Sequence, residues 1–333
     1  MKKITHILLC LFIAFPAFVL ASEDLIIYSG RSDKFIKPIV KAFKKQTGIQ
    51  VTLHSAKSTA LLNKLKIEAD RTDADLFISN DAGNLERGAE LGLFQAIPTE
   101  LTAHIPANYR SPDDLWVGLS ARARVLVVNT NSPAAETIKS VFDLALPEYK
   151  NRIAITYATN GSFIAGTTVY MLAKGEDATL HWLKGLAENA NRNVFNKHSK
   201  VVKAVAKGKA DVGLVNHYYI YRHLTKHPNA PIKIVLPDQG TNDIGIAWNV
   251  AGVALSKYVR HKTNALKFIK YLTSPEGQKA FAEVNKEYPT RTNIATAKEI
   301  PTLKDLKIAD VPMAQLGKFR AKTLDLIDKS GLQ

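Results

Sequence analysis

Cysteine is all but missing from this chain: 333 residues contain one, Cys10, inside an N-terminal apolar run. No disulfide can form within the chain, so apolar burial alone must hold the fold. A chain of this length can bury enough, in two domains. The same count excludes a cysteine nucleophile anywhere after that run. Long apolar runs are missing too, and the one over 7–20 is too short and too poorly flanked to span a bilayer. Acidic residues are outnumbered, 30 against 45 Lys and Arg, for a formal net charge of +15. Such a balance suits nucleic acid, an anionic membrane face or an anionic ligand, but no nucleic-acid-binding motif accompanies it. Most of the charge reads as solvated surface, as with Lys41, Lys44 and Lys45 on the outer face of one helix. Also missing are a zinc-protease histidine pair with its glutamate, a nucleophile elbow, internal repeats and low-complexity tracts. An exported enzyme therefore has only unlinked serines, histidines and aspartates to rest on.

What is present begins with Lys2-Lys3, the apolar run and Val19-Leu20-Ala21 before Ser22, which together read as a signal peptide over 1–21. With no lipid-attachment cysteine at the cleavage point, the expected location is the Gram-negative periplasm. After it, strands at 25–28, 51–53 and 76–78 alternate with helices. The first helix is marked by Phe35, Ile39 and Phe43 and stopped by Gly48; the second is marked by Leu61, Leu62 and Leu65. This alternation predicts a parallel sheet covered on both faces, with ligands beyond the carboxyl ends of the strands. Two long strands, 116–119 and 124–128, leave this first lobe. A second alternating set follows, with strands at 153–155, 212–215 and 232–236 and helices opening near Asn160 and carrying Val201, Val202 and Val205. The apolar run 244–255 crosses back, and 314–327 is mostly helical. The expected fold class is α/β: two lobes, each a mostly parallel sheet flanked by helices, with a hinge of crossing strands. The boundaries expected are 22–122 with 246–300 for the N-terminal lobe and 123–245 with 301–333 for the C-terminal lobe.

The chemistry concentrates in Asn216-His217-Tyr218-Tyr219-Ile220-Tyr221-Arg222, where a strand-like run, 211–215, turns into a helix. Such a turn aims side chains outward, where ligands sit. A phenol is normally protonated, with a pKa near 10. A hard trivalent cation displaces that proton and keeps the phenolate as a ligand. Phenolate oxygen suits such an ion better than it suits Zn²⁺ or Cu⁺. Taken alone, the pair reads first as one core tyrosine and one surface tyrosine; the rest of the chain shifts that balance.

Several further pieces stand in order along the chain: Tyr28-Ser29-Gly30-Arg31-Ser32, Ala74-Asp75-Leu76-Phe77-Ile78 with Asp81-Ala82-Gly83, Trp116-Val117-Gly118 with Arg122-Ala123-Arg124-Val125, Thr159-Asn160-Gly161-Ser162-Phe163, and Glu287-Tyr288-Pro289. With the tyrosine pair, they make the chain resemble the periplasmic ferric-ion-binding proteins of ABC importers. These are a bacterial transferrin-like group within the type II solute-binding proteins, and the resemblance covers nearly all of the chain after residue 21. It implies a type II periplasmic-binding-protein clamshell in which Tyr218 and Tyr219 hold transported Fe³⁺ between the lobes and Arg222 supports the phenolates. It further implies an inner-membrane ABC permease as partner, a monomeric state and no nucleic acid. The first-lobe ligands of many members are replaced here by Ser32, Asp33 and Asn80. The resemblance therefore also implies an exogenous anion, carbonate, phosphate or citrate, to complete the coordination. Asn160, Gly161 and Ser162 match an anion-binding turn at a helix start, and Arg31 is placed to clamp the anion from the first lobe.

Each residue also has a plainer reading. Arg31 either clamps an anion or salt-bridges Asp33 or Asp81. Asn160 and Ser162 cap their helix as well as, or instead of, binding, and Asp33 and Asp81 stand where N-caps belong. Tyr28 and Tyr157 are core or cleft residues. His217 and His198 are further candidates for the cleft wall. His223 and His227, four apart, form a metal pair or a wet helix face. The runner-up function is a binding protein for a small phosphate- or phosphonate-bearing anion without metal, held by Arg31 and the Asn160 turn.

Overall fold

Leu25, Ile27 and Tyr28 are buried, so β1 (Leu25–Ser29) is covered on both faces, as parallel strands are. It pairs in parallel with β2 (Val51–Ser55) and β3 (Leu76–Ser79). The computed structural model describes residues 24–332, so the signal-peptide reading of 1–21 lies outside the described residues. Helices Asp33–Thr47, Ser58–Glu68 and Ala82–Glu90 follow these strands in turn. The first buries Phe35, Ile36, Ile39, Val40 and Phe43 and ends at Gly48, whose φ of 75° is the left-handed conformation that glycine adopts freely. β4 (Phe94–Gln95) closes this set.

The two strands expected over 116–128 are one. β5 (Val117–Asn129) runs 13 residues and is buried throughout. Past it the plan of the first lobe recurs. β6 (Ile153–Thr156) pairs in parallel with β7 (Val194–Phe195) and β8 (Val212–Asn216), and β9 (Ile232–Val235) lies antiparallel to β5. β10 (Trp248–Ser256) then returns to pair antiparallel with β3, and β11 (Tyr288–Pro289) adds to β5. The path across the molecule is β2-β1-β3-β10-β5-β8-β6-β7. β5 is shared: up to Ala123 its partner is β10, and from Arg124 it is β8. Two more segments cross beside it. Gly245-Ile246 leads into β10, and Ile246 pairs with Ile308 on the way to the C-terminus.

The expected helix over 314–327 is broken at Phe319 into Gln315–Lys318 and Arg320–Ser330. The two pieces serve different neighbours. A Cβ on Gly83, in the Ala82–Glu90 helix, would stand 3.1 Å from the Leu316 carbonyl oxygen. Thr323 shares a 2.9 Å hydroxyl contact with Thr168 of helix Gly161–Lys174. The C-terminal segment therefore touches both lobes. Among the described residues no helix is long and apolar enough to cross a membrane.

Candidate metal centre in the interlobe cleft

Strand β8 runs straight into helix His217–Lys226, so the two tyrosines emerge at a strand's carboxyl end. Asn216 fixes the junction. Its amide nitrogen donates to the Tyr218 hydroxyl at 3.2 Å and the Ser162 hydroxyl at 3.3 Å, while its oxygen accepts from Arg124 Nη1 at 3.2 Å. The phenol rings lie side by side, centroids 4.5 Å apart, in the wall of a cleft of about 560 Å³. Phe35, from the first lobe, meets Tyr218 edge-on at 5.4 Å. Lys34 Nζ stands 5.5 Å over the Tyr219 ring. Burial, and then the adjacent Tyr218, push the Tyr219 hydroxyl well above the usual phenol range. That phenol is therefore neutral until a cation replaces its proton.

Two histidines flank the pair. His198 tilts against Tyr219 at 5.1 Å. Neither of its ring nitrogens has a hydrogen-bond partner among the described residues, and burial holds its pKa well below the usual value. His217 is a hinge brace. Its Nδ1 accepts from the Ala123 N–H at 3.2 Å, and its Nε2 lies 2.8 Å from the Lys286 carbonyl, to which it donates. That pattern requires a neutral ring, and burial lowers its pKa to about 4.

Arg31 lines the cleft but binds neither Asp33 nor Asp81. Its Nη2 donates to Glu287 at 2.6 Å and its Nη1 to Ser120 Oγ at 3.3 Å, and Ser120 in turn donates to Glu287 at 2.8 Å. Asn80 also lines the cleft, its amide donating to the Gly30 carbonyl. Asp33 is not an N-cap: it is the first residue of its helix, beside Lys37 and Ser55, away from the cleft wall. Asp81 is one, accepting from the Gly83 N–H at 3.0 Å, and it faces the cleft with Arg320 3.4 Å away. Tyr28 turns to the far side of its strand and donates to Glu68 at 2.7 Å. Tyr157 stands at the cleft lip, 46% exposed. Asn160 caps its helix, accepting from the Ser162 N–H at 2.9 Å. Gly161 and Ser162 line the cleft beside it, the Ser162 hydroxyl also accepting from Asn216 Nδ2. Arg222 lies 4.8 Å over the Phe35 ring, its Nη1 buried without a partner, behind the tyrosines rather than in the cleft wall. His223 and His227 lie tilted against each other, centroids 4.7 Å apart, at the end of their helix. Among the described residues no group of three or more His, Cys, Asp or Glu side chains converges as a metal site.

Reading the sequence missed Arg122, Glu287 and Arg320 as cleft residues. For Arg122 a signal existed: arginines at 122 and 124 break an apolar strand at period two, so both leave the same face of a buried element. Arg122 is 4% exposed and has no carboxylate partner among the described residues.

The chain belongs to the bacterial extracellular solute-binding proteins, whose family model matches residues 72–311. It is similar to the Fe(3+)-binding periplasmic protein of Serratia marcescens, 31% identical over 314 residues that cover 94% of this chain and 91% of that one. Among solved structures it matches a Trichodesmium protein in complex with iron and citrate ligands, at 31% identity and a TM-score of 0.80, covering 93% of this chain and 100% of that one. It also matches iron-bound HitA from Pseudomonas aeruginosa, at 27% identity and a TM-score of 0.85, covering 93% and 99%. The fold is thus the type II periplasmic-binding-protein clamshell that the resemblance implied. Like these relatives, the chain is a solute-binding protein and not an enzyme.

Proposed function

We propose that this chain is the periplasmic receptor of a ferric-iron ABC importer and carries Fe³⁺ to an inner-membrane permease as a monomer. Tyr218 and Tyr219 supply two phenolate ligands. The observation that carries this reading is the placement of two adjacent phenols at a strand end, in the wall of the cleft. The relatives' names support the choice of metal. Iron(III) takes about six donors, and two phenolates leave most of them open. A small anion, carbonate, phosphate or citrate, fills several of these positions. It is held by the Gly161 N–H and the Ser162 hydroxyl from one lobe, with Arg122 adding charge from the hinge strand. His198, Asn80 and the Arg31–Glu287 pair complete the wall, and Arg222 backs the phenolates. On this reading 22–122 with 246–300 and 123–245 with 301–333 are the bodies that close over the cargo.

Phenolate-to-iron charge transfer gives the loaded protein a visible band. Loading with ferric salt in the presence of each anion, followed by metal analysis and a visible spectrum, tests the assignment. One iron per chain with such a band is expected, and both should be lost in the Tyr218→Phe, Tyr219→Phe double variant. A double variant that keeps iron and colour places the site elsewhere. The donor-rich cleft also favours a second reading, a phosphate- or phosphonate-bearing anion bound without metal. Calorimetry of metal-free protein against a panel of phosphates separates the two.

A further inference from the structure

Arg122 and Arg124 leave the same face of β5, but only Arg122 reaches the open cleft. Behind it, where β5, β8, β10 and helix Gly161–Lys174 meet, lies a small cavity with room for one water-sized particle, about 10 Å³. Its walls include Arg122, Arg124, Ser162, Asn216, Trp248 and Asn249. Gly166 opens one side: a Cβ there would stand 3.4 Å from Arg124 Cγ and Nε. Arg124 and Trp248 are buried as fully as Arg122, at 3% and 2% exposure.

The unmet polar atoms of these walls are all donors. Arg122 Nε, Arg124 Nε, Arg124 Nη2 and Trp248 Nε1 are buried without a hydrogen-bond partner among the described residues. The amide oxygens in these walls are already used, and the nearest unpaired acceptors, the Tyr170 hydroxyl and the His198 ring, stand outside them. Asn216 Oδ1 takes Arg124 Nη1, and Asn249 Oδ1 takes the Ala82 and Val250 N–H groups. Neither arginine has a carboxylate partner among the described residues. Desolvation lowers Arg124 only to about 10, so it stays charged at neutral pH. A buried cation without a counter-charge and a buried donor without an acceptor are each costly. A water accepts two of these bonds and neutralises no charge. A monoatomic anion can accept more than two and supplies the charge, whereas an oxyanion is too large for a space of about 10 Å³.

We propose that this cavity binds a single halide-sized anion, chloride in its natural setting, through Arg122, Arg124 and Trp248. The site is distinct from the tyrosine cleft and does not depend on the ferric reading. It shares two wall residues with the cleft, Arg122 and Ser162, and one bridge, since Asn216 holds Arg124 on one side and Tyr218 on the other.

Two measurements on the full chain test it. Crystals of the metal-free protein soaked in sodium bromide should show a bromine anomalous peak in contact with Arg124 and Trp248. Density there without an anomalous signal means an ordered water only and overturns the proposal. In solution, metal-free protein should melt at a higher temperature in chloride than in gluconate at equal ionic strength, with saturable dependence on chloride. Trp248→Phe keeps the ring and removes one N–H, and should raise the half-saturating chloride concentration about tenfold. Equal melting in both salts overturns the proposal. The Tyr218→Phe, Tyr219→Phe double variant should keep the full chloride response even though it loses iron; loss of that response overturns the independence of the two sites.

Discussion

At the scale of single residues, the proposed cargo site includes a phenol, Tyr219, that stays neutral until loaded. Burial holds the Tyr219 phenol above its ordinary range, so each phenolate ligand costs a proton that the metal must displace. Iron affinity should therefore rise with pH, releasing about two protons per ion if both phenols ligate. Competition against a chelator across pH 5.5 to 8 measures this, and a Tyr219→Phe variant should show about one proton fewer. His217 works in the opposite direction, on the fold. Folded, it titrates near 4; unfolded, near 6.5. The unfolded chain takes up the proton first, so stability is unaffected above about pH 6.5 and falls by about 3 kcal/mol as pH drops toward 4. His217→Gln can keep both of the ring's hydrogen bonds, and should flatten the acid side of a melting-temperature profile of the metal-free protein. The tyrosine pair was legible in the sequence because two phenols at a strand end are a local pattern. The partner of Arg31 was not. Glu287 is 256 positions away, and nearby Asp33 and Asp81 were the natural candidates until the fold assigned one to Lys37 and the other to a helix start.

At the scale of elements, the hinge strand decides the most. β5 looked like two strands because Ser120, Arg122 and Arg124 interrupt its apolar pattern. It is one strand because those three side chains face the interior where the lobes meet: Ser120 joins Arg31 and Glu287, and the arginines face the cleft and the cavity behind it. Polar residues in a buried strand are read as a break unless the buried partner is known. Elsewhere local signals sufficed. Gly48 ended its helix, Asp81 and Asn160 capped theirs, and Phe35, Ile39 and Phe43 faced inward. The same strand carries a packing test. A Cβ on Gly118 would lie 2.6 Å from the Tyr109 carbonyl oxygen, a backbone atom that cannot swing aside. Gly118→Ala should cost about 1–3 kcal/mol of stability, read as a lower denaturant midpoint with an unchanged slope.

At the scale of the whole molecule, strand order and the shared β5 give two similar α/β bodies joined by three crossing segments. The clamshell was legible because alternating strand and helix patterns repeat on either side of a long apolar crossing. How the tail divides was not: its two short helices pack on different lobes, and one apolar periodicity cannot show two partners. Ligands that bridge two bodies favour the closed arrangement by their differential affinity for it. Iron with its anion should therefore reduce the radius of gyration in solution scattering, and the double tyrosine variant should keep the metal-free value under the same conditions. The central claim is that two adjacent phenols in the cleft wall give up their protons to grip Fe³⁺ between the lobes. Diffraction from crystals grown with ferric salt and citrate or carbonate tests it most directly. The account predicts an iron peak bonded to the Tyr218 and Tyr219 oxygens and facing the Asn160 turn. An iron peak elsewhere, or phenol oxygens turned away from it, contradicts the account.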